Sequence, residues 1–272
     1  MNPRENNGDG FKTIQYDVSD CIASITLNRP AKRNAIDAVL REELGEIVSA
    51  IRRDRTIKVV VLAGAGGAFC SGGDISLMVE PATAEQARDR MLKLQVTIEE
   101  LLTLDRPVIS VVDGPAYGAG FGLALAGDLV LASPRARFCL SFLRIGAIPD
   151  CAVFYTLPRI VGLQRAKELA FSTREFCAEE AKEMGIVFEI HSEDRIHDRA
   201  RALAKSLAVL PLTTLSLTKR AFNASLDSGL GTMLEIEATG QGVARSTEYH
   251  KNAVERFITK QPPLYHWPDK DN

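Results

Sequence analysis

The chain has 272 residues, 46 % of them hydrophobic and 25 % charged, with a formal net charge of −2, a composition that suits a water-soluble globular protein with ample core. Near-neutral charge, no basic stripe and few aromatics argue against a nucleic-acid partner, and no run approaches the roughly 18 apolar residues of a membrane span. Five scattered cysteines without CxxC (Cys21, Cys70, Cys139, Cys151, Cys177) and four histidines confined to the C-terminal third suit a reducing cytoplasm and predict neither a disulfide framework nor a metal site.

Residues 1–10, MNPRENNGDG, are polar and lack an apolar signal region; they read as a disordered lead-in. Residues 11–29 alternate in the manner of a β-hairpin. DAVLREELGEIVSAIRRD (37–54) carries apolar residues at helical spacing. KVVVLAG (58–64) is a short continuous apolar run, the mark of a parallel strand buried on both faces. The glycine-rich turn AGAGGAFCSGGDISLM (63–78) follows, then a helix over EQARDRMLKLQVTIEELLTL (85–104) and a second buried strand, RPVISVVDG (106–114). Another glycine-rich turn, PAYGAGFG (115–122), leads into the helix LALAG (123–127) and the strand DLVLAS (128–133). Repeated strand, glycine turn and helix predict an α/β fold. Beyond residue 162 glycine thins out and the chain reads as mostly helical.

Each glycine-rich turn follows a buried strand and is read as opening a helix, where unpaired backbone N–H groups favour negative charge. Neither turn holds a Gly-Lys-Ser/Thr step or a GxGxxG in register, so phosphate-loop and dinucleotide readings fall away. Two readings stay open: close packing of small residues, or paired donors aimed at one oxygen, as an oxyanion hole requires. Asp150 also has two readings. It is the only acid in FLRIGAIPDCAVFYTLPRIVG (142–162), and it either caps a helix running from Cys151 to Gly162 or is kept there to work, since an unpaired carboxylate among apolar residues is costly.

Four segments in order, LNRPAKRNAI (27–36), AFCSGGDI (68–75), PVISVVDGPAYGAGFGLALAGDLVLAS (107–133) and FLRIGAIPD (142–150), resemble the signatures of the crotonase (enoyl-CoA hydratase/isomerase) superfamily, from about residue 11 to the C-terminus. The resemblance implies a ββα superhelix core over residues 11–200 and a helical C-terminal trimerisation region over 201–272, in a homotrimer or dimer of trimers. It implies an acyl-CoA thioester substrate, with coenzyme A arriving as part of it and no other cofactor. The backbone N–H groups of Gly73 and Ala119 would form the oxyanion hole. Lys32, Arg33, Ala35, Gly73, Asp74, Ile75, Ser76 and Lys260 would contact CoA, although Lys32 and Arg33 read equally well as solvated loop charges.

Departures from the superfamily pattern then narrow the chemistry. The two glutamates that hydratases use to add water fall at Gly122 and Phe142, neither of which moves a proton; both are expected to line the acyl pocket. What remains is Asp150, at a position where some isomerases of the superfamily carry a catalytic aspartate. Where relatives continue with small residues such as SGGT, this chain has CAVF (151–154); Val153 and Phe154 either reshape the acyl pocket or simply pack. The reading is an enoyl-CoA isomerase with Asp150 as single proton carrier, its pKa raised by neighbours such as Phe142 and Ile148. The alternatives are a hydrolase or dehalogenase with a nucleophilic Asp150, a residual hydratase, and an inactive acyl-CoA-binding protein.

Overall fold

The computed structural model describes residues 10–78 and 82–270. All but Gly10 of the proposed lead-in therefore lies outside the described residues. Strands β1 (Ile14–Ser19) and β2 (Ile22–Leu27) form the expected antiparallel hairpin, Ile14 opposite Leu27. Helix α1 (Ala38–Arg53) follows, capped by Asp37, whose carboxylate accepts the Leu40 N–H at 2.8 Å. Next come β3 (Val59–Gly64), α2 (Ala84–Leu102) with a Thr83–Gln86 capping box, and β4 (Val108–Val112). Short β5 (Pro115–Tyr117), α3 (Ala119–Ala124), β6 (Leu129–Ala132) and β7 (Arg137–Cys139) complete the middle of the chain.

The C-terminal half holds α4 (Val153–Val161), α5 (Leu163–Ser172), β8 (Glu175–Cys177), α6 (Ala178–Glu183), β9 (Glu189–Ile190), α7 (Ile196–Ala208), α8 (Leu212–Ser225), α9 (Leu230–Arg245) and α10 (Glu248–Ile258). The main sheet runs β1-β2-β3-β4-β6-β9, parallel from β2 onward, and a second sheet runs β5-β7-β8. The short strands β5, β7, β8 and β9 are too brief to impose a period on the sequence, and pairing alone defines them.

The apolar run of β3 is explained by its two covered faces. Val60 and Leu62 pack with Leu40, Leu44, Ile47, Ile98 and Leu101 of α1 and α2. Val59 and Ala63 face the other way, onto Ile196, Ala200 and Leu203 of α7. A boundary at 200/201 therefore cuts through α7, whose whole apolar stripe belongs to the body. Leu215 of α8 joins the same layer. By contrast, α9 and α10 bury none of their residues.

Candidate active site

Two loops are laced together by backbone hydrogen bonds. Ile36 N donates to Gly72 O at 2.7 Å, Asp74 N to Ile36 O at 3.0 Å, and Ser71 N to Arg33 O at 2.9 Å. Asn34 ties this junction to the turn that follows β3. It is fully buried, sits in the left-handed region at φ 57°, and its amide nitrogen donates to Ala65 O at 2.9 Å and Ala68 O at 2.7 Å. Its side-chain oxygen accepts Arg29 N at 2.8 Å. Arg29 in turn pairs with Asp37 at 2.9 Å and Asp74 at 3.2 Å. Asparagine suits this post because its short amide tolerates left-handed backbone and offers both donor and acceptor. Neither Asn34 nor Arg29 was among the expected site residues, and the one available signal was an asparagine between two charged or small loop residues.

The lacing brings Lys32, Arg33, Ala35, Gly73, Asp74, Ile75 and Ser76 together on one ridge. Lys32 and Arg33 project into solvent, as do Ile75 and Ser76. The Asp74 carboxylate is taken up by the Ser76 hydroxyl and by Arg29, which hold it below the usual carboxylate range. Lys260 is elsewhere: it ends the turn after α10, with φ 54°, its N–H donating to Phe257 O at 3.3 Å, and no bond of the described residues joins it to the ridge.

Gly72 then brings Gly73 up to α3. At φ 99° it lies so close to the second glycine-rich turn that a Cβ there would stand 2.9 Å from Tyr117 O and 3.6 Å from Ala119 N; glycine is the residue that fits. No hydrogen bond among the described residues uses the N–H of Gly73 or of Ala119. Ala119 is the first residue of α3, so the helix starts inside the glycine run rather than at Leu123, and its amide lies at a positive helix end. The first turn differs from expectation, opening a short 3-10 turn at Ile75–Met78 rather than an α-helix. Gly73 is held instead by its bridge to Ile36.

Gly122 lies one turn along α3. A Cβ there would meet Cys151 Cβ at 2.6 Å, Cys151 O at 3.0 Å and a Val153 methyl at 3.0 Å. The volume that a longer side chain would need is thus already filled. Val153 is buried, whereas Phe154 is 64 % exposed and turns away from the interior. Phe142, 8 % exposed, has its ring edge 3.8 Å from where a Cβ of Gly118 would be, which puts it next to Ala119.

Asp150 is not a helix cap. Cys151 and Ala152 both adopt left-handed backbone, at φ 50° and 59°, so α4 begins only at Val153 and its N-terminus receives no side-chain hydrogen bond. Only the main-chain oxygen of Asp150 takes part, accepting Val153 N at 3.1 Å. The carboxylate oxygen Oδ1 is buried without a partner among the described residues. Burial pushes the Asp150 pKa up, against the opposing pull of the Cys151 thiol and its own backbone. Ile148 plays no part in that shielding, being 72 % exposed. Two thiols share the pocket: burial, with Asp150 nearby, drives Cys70 up to about 12 and Cys151 well above its ordinary value. No cluster of three potential metal ligands occurs among the described residues, and none of their helices is long and apolar enough to cross a membrane.

A carboxylate with a raised pKa and an unused oxygen, together with two free amides brought close to one another, are the parts that proton transfer next to a polarised carbonyl requires. Known proteins agree with the fold and with a thioester substrate. The enoyl-CoA hydratase/isomerase family profile matches residues 17–270. A 1,2-epoxyphenylacetyl-CoA isomerase of Escherichia coli K12 is 34 % identical over 91 % of this chain and 96 % of its own. A probable enoyl-CoA hydratase of Rhodobacter capsulatus is 35 % identical over 94 % and 98 %. Among solved structures, an enoyl-CoA hydratase/isomerase from Cupriavidus metallidurans CH34 superposes with a TM-score of 0.91 at 43 % identity, covering 97 % of this chain and all of that one. The chain has the crotonase fold and belongs to the enoyl-CoA hydratase/isomerase family of acyl-CoA enzymes.

Proposed function

We propose that the protein is an enoyl-CoA isomerase that shifts a double bond from the 3- to the 2-position of an acyl-CoA. The Asp150 carboxylate breaks the C2–H bond and takes the proton. The C2–H electron pair forms a C1–C2 double bond and the carbonyl pair moves onto the thioester oxygen, giving a dienolate conjugated with the C3–C4 alkene whose negative oxygen the Gly73 and Ala119 amides would hold. The same proton then returns from Asp150 to C4, the C2–C3 double bond forms, and the acid is a carboxylate again. Nothing is consumed, and no cofactor is drawn on beyond the coenzyme A that the substrate carries. Lys32 and Arg33, with the main chain of Ala35 and residues 73–76, would hold the CoA part, and Lys260, away from this ridge on the turn after α10, would complete the CoA contact from the C-terminal helices.

The observation that carries this reading is the buried, unpartnered Oδ1 of Asp150 beside a Gly122 whose side-chain space is taken by Cys151 and Val153. One acid serves where the pair that would handle water has neither the groups nor the room. The test is incubation with 3-enoyl-, 2-enoyl- and aryl-acetyl-CoA esters in deuterated water, with and without Asp150→Asn. Loss of a positioned base should lower kcat by about 10²–10⁴-fold, and because Asp150 carries the same proton from C2 to C4, a single turnover in deuterated water should leave C4 mostly unlabelled. A variant that isomerises 3-enoyl-CoA at the parental rate ends the proposal.

We further propose assembly as a homotrimer or a dimer of trimers. Its support is a series of exposed apolar residues on the C-terminal helices, among them Phe222, Leu226, Leu230, Leu234, Phe257 and Ile258, more than a monomer keeps in water without a partner. Light scattering coupled to gel filtration reads the mass directly, and a monomer at micromolar concentration would refute it.

A further inference from the structure

Arg199 on α7 is almost completely buried and pairs with Glu189 of β9 through both carboxylate oxygens, Nε to Oε2 at 2.8 Å and Nη2 to Oε1 at 3.0 Å. Burial works against ionising Glu189, yet Arg199 and His191 together hold it below the ordinary carboxylate range. The pair still leaves Nη1 to be satisfied. Both of its hydrogen bonds go to the C-terminal segment, to Pro268 O at 3.1 Å and Asp269 O at 2.7 Å. A buried guanidinium with unmet donors is costly, so the ion pair is complete only with that segment in place.

Other contacts fasten the same segment. The Ser206 hydroxyl donates to His266 O, and Trp267 stacks edge-on against Phe188 with ring centres 6.2 Å apart. At its other end the segment is joined to α10, because Arg256 Nε donates to Pro262 O at 2.8 Å and Gln261 N to Arg256 O at 2.9 Å. The α9–α10 arm, which buries nothing of its own, is thus held at two places: where α8 enters it, and where this segment returns to the body.

We propose that Arg199 is a positioning residue that docks residues 264–270 onto the body and thereby fixes the α10–Lys260 turn for acyl-CoA binding. The substrate half rests on the reading of Lys260 as a CoA contact; the docking half does not. Trp267 is the chain's single tryptophan, so its fluorescence reports docking without a label. In the full chain, Glu189→Met/Arg199→Met removes both charges together and avoids stranding one. Iodide should then quench Trp267 several-fold more efficiently, and the KM for acyl-CoA should rise about tenfold with kcat retained, a tenfold change being about 1.4 kcal/mol of binding. Arg199→Lys keeps the charge but loses the forked donation to two carbonyls; it should move both readouts the same way, and it serves if the double variant fails to fold. Unchanged quenching in a folded variant overturns the docking. Exposed Trp267 with unchanged KM overturns the substrate half, and Lys260→Ala alongside locates the fault: if it too leaves KM unchanged, the Lys260 reading has failed rather than the docking.

Discussion

Replacing Asn34 by alanine tests whether one buried amide holds the site together. The substitution removes the side-chain partner of four backbone groups, Ala65 O, Ala68 O and Arg29 N at normal distances and Phe69 O at a longer, weaker 3.3 Å. Each net loss is about 1 kcal/mol, and more where the orphaned group stays dry. Alanine would also have to occupy φ 57° without the short polar side chain that lets asparagine tolerate that region, at a cost of about 1 kcal/mol. The expected destabilisation is therefore about 4 kcal/mol, a large fraction of a domain's stability. Asn34→Gly separates the two contributions: it tolerates the left-handed backbone but restores no hydrogen bond, and should recover only about 1 kcal/mol of the loss. Urea unfolding followed by circular dichroism measures all three proteins. Turnover of the surviving native fraction is the second readout, because Ile36 and Gly73 are bridged across the junction that Asn34 anchors, and kcat should fall even where the protein is folded. An Asn34→Ala protein within 1 kcal/mol of the parent, with unchanged kcat, would show that the junction is held by its backbone bonds alone.

Asp150→Asn should raise stability at neutral pH while it removes activity. Its carboxyl pKa is raised by burial, so the folded state favours the protonated form; that stabilisation is present in acid and is lost as pH rises through the folded pKa. The advantage of the Asn variant in thermal melts should therefore shrink on acidification, and an advantage constant with pH would contradict the assignment. For the same reason kcat/KM should rise with pH on its acid limb at a value above that of an ordinary aspartate. Gly122→Glu should not confer hydration of 2-enoyl-CoA and should destabilise the fold by about 1–3 kcal/mol through overpacking against Cys151 and Val153; a stable variant with new hydratase activity would show that the space is available. Thiol titration with an aromatic disulfide should show Cys21 reacting fast, being exposed, while Cys70, Cys139 and Cys151 wait for denaturant, since all three are buried and their pKa values are pushed up by burial. Rapid reaction of Cys151 would mean that the pocket floor opens to solvent.

Patterns with a short physical range were readable from the chain alone. The β1–β2 hairpin, the α1 stripe, the two-faced apolar run of β3 and the β/α alternation all follow from side-chain period and turn chemistry. So did the isolation of Asp150 and the absence of an acid at positions 122 and 142, because identity at a position needs no folding to be seen. What escaped depends on contacts between distant segments. The stretch around Asp150 left a helix cap and a working acid both open, and only the left-handed Cys151 and Ala152 exclude the cap; Ile148, a sequence neighbour, points into solvent, and burial of the carboxylate comes from packing instead. The role of Asn34 is invisible without Ala65 and Ala68 beside it, and the Arg199 clamp joins residues about 70 positions apart. Local periodicity is written in the chain because each residue carries its own conformational preference; the free energy of burying a charge, or of completing a guanidinium, exists only once the fold has brought the partners together.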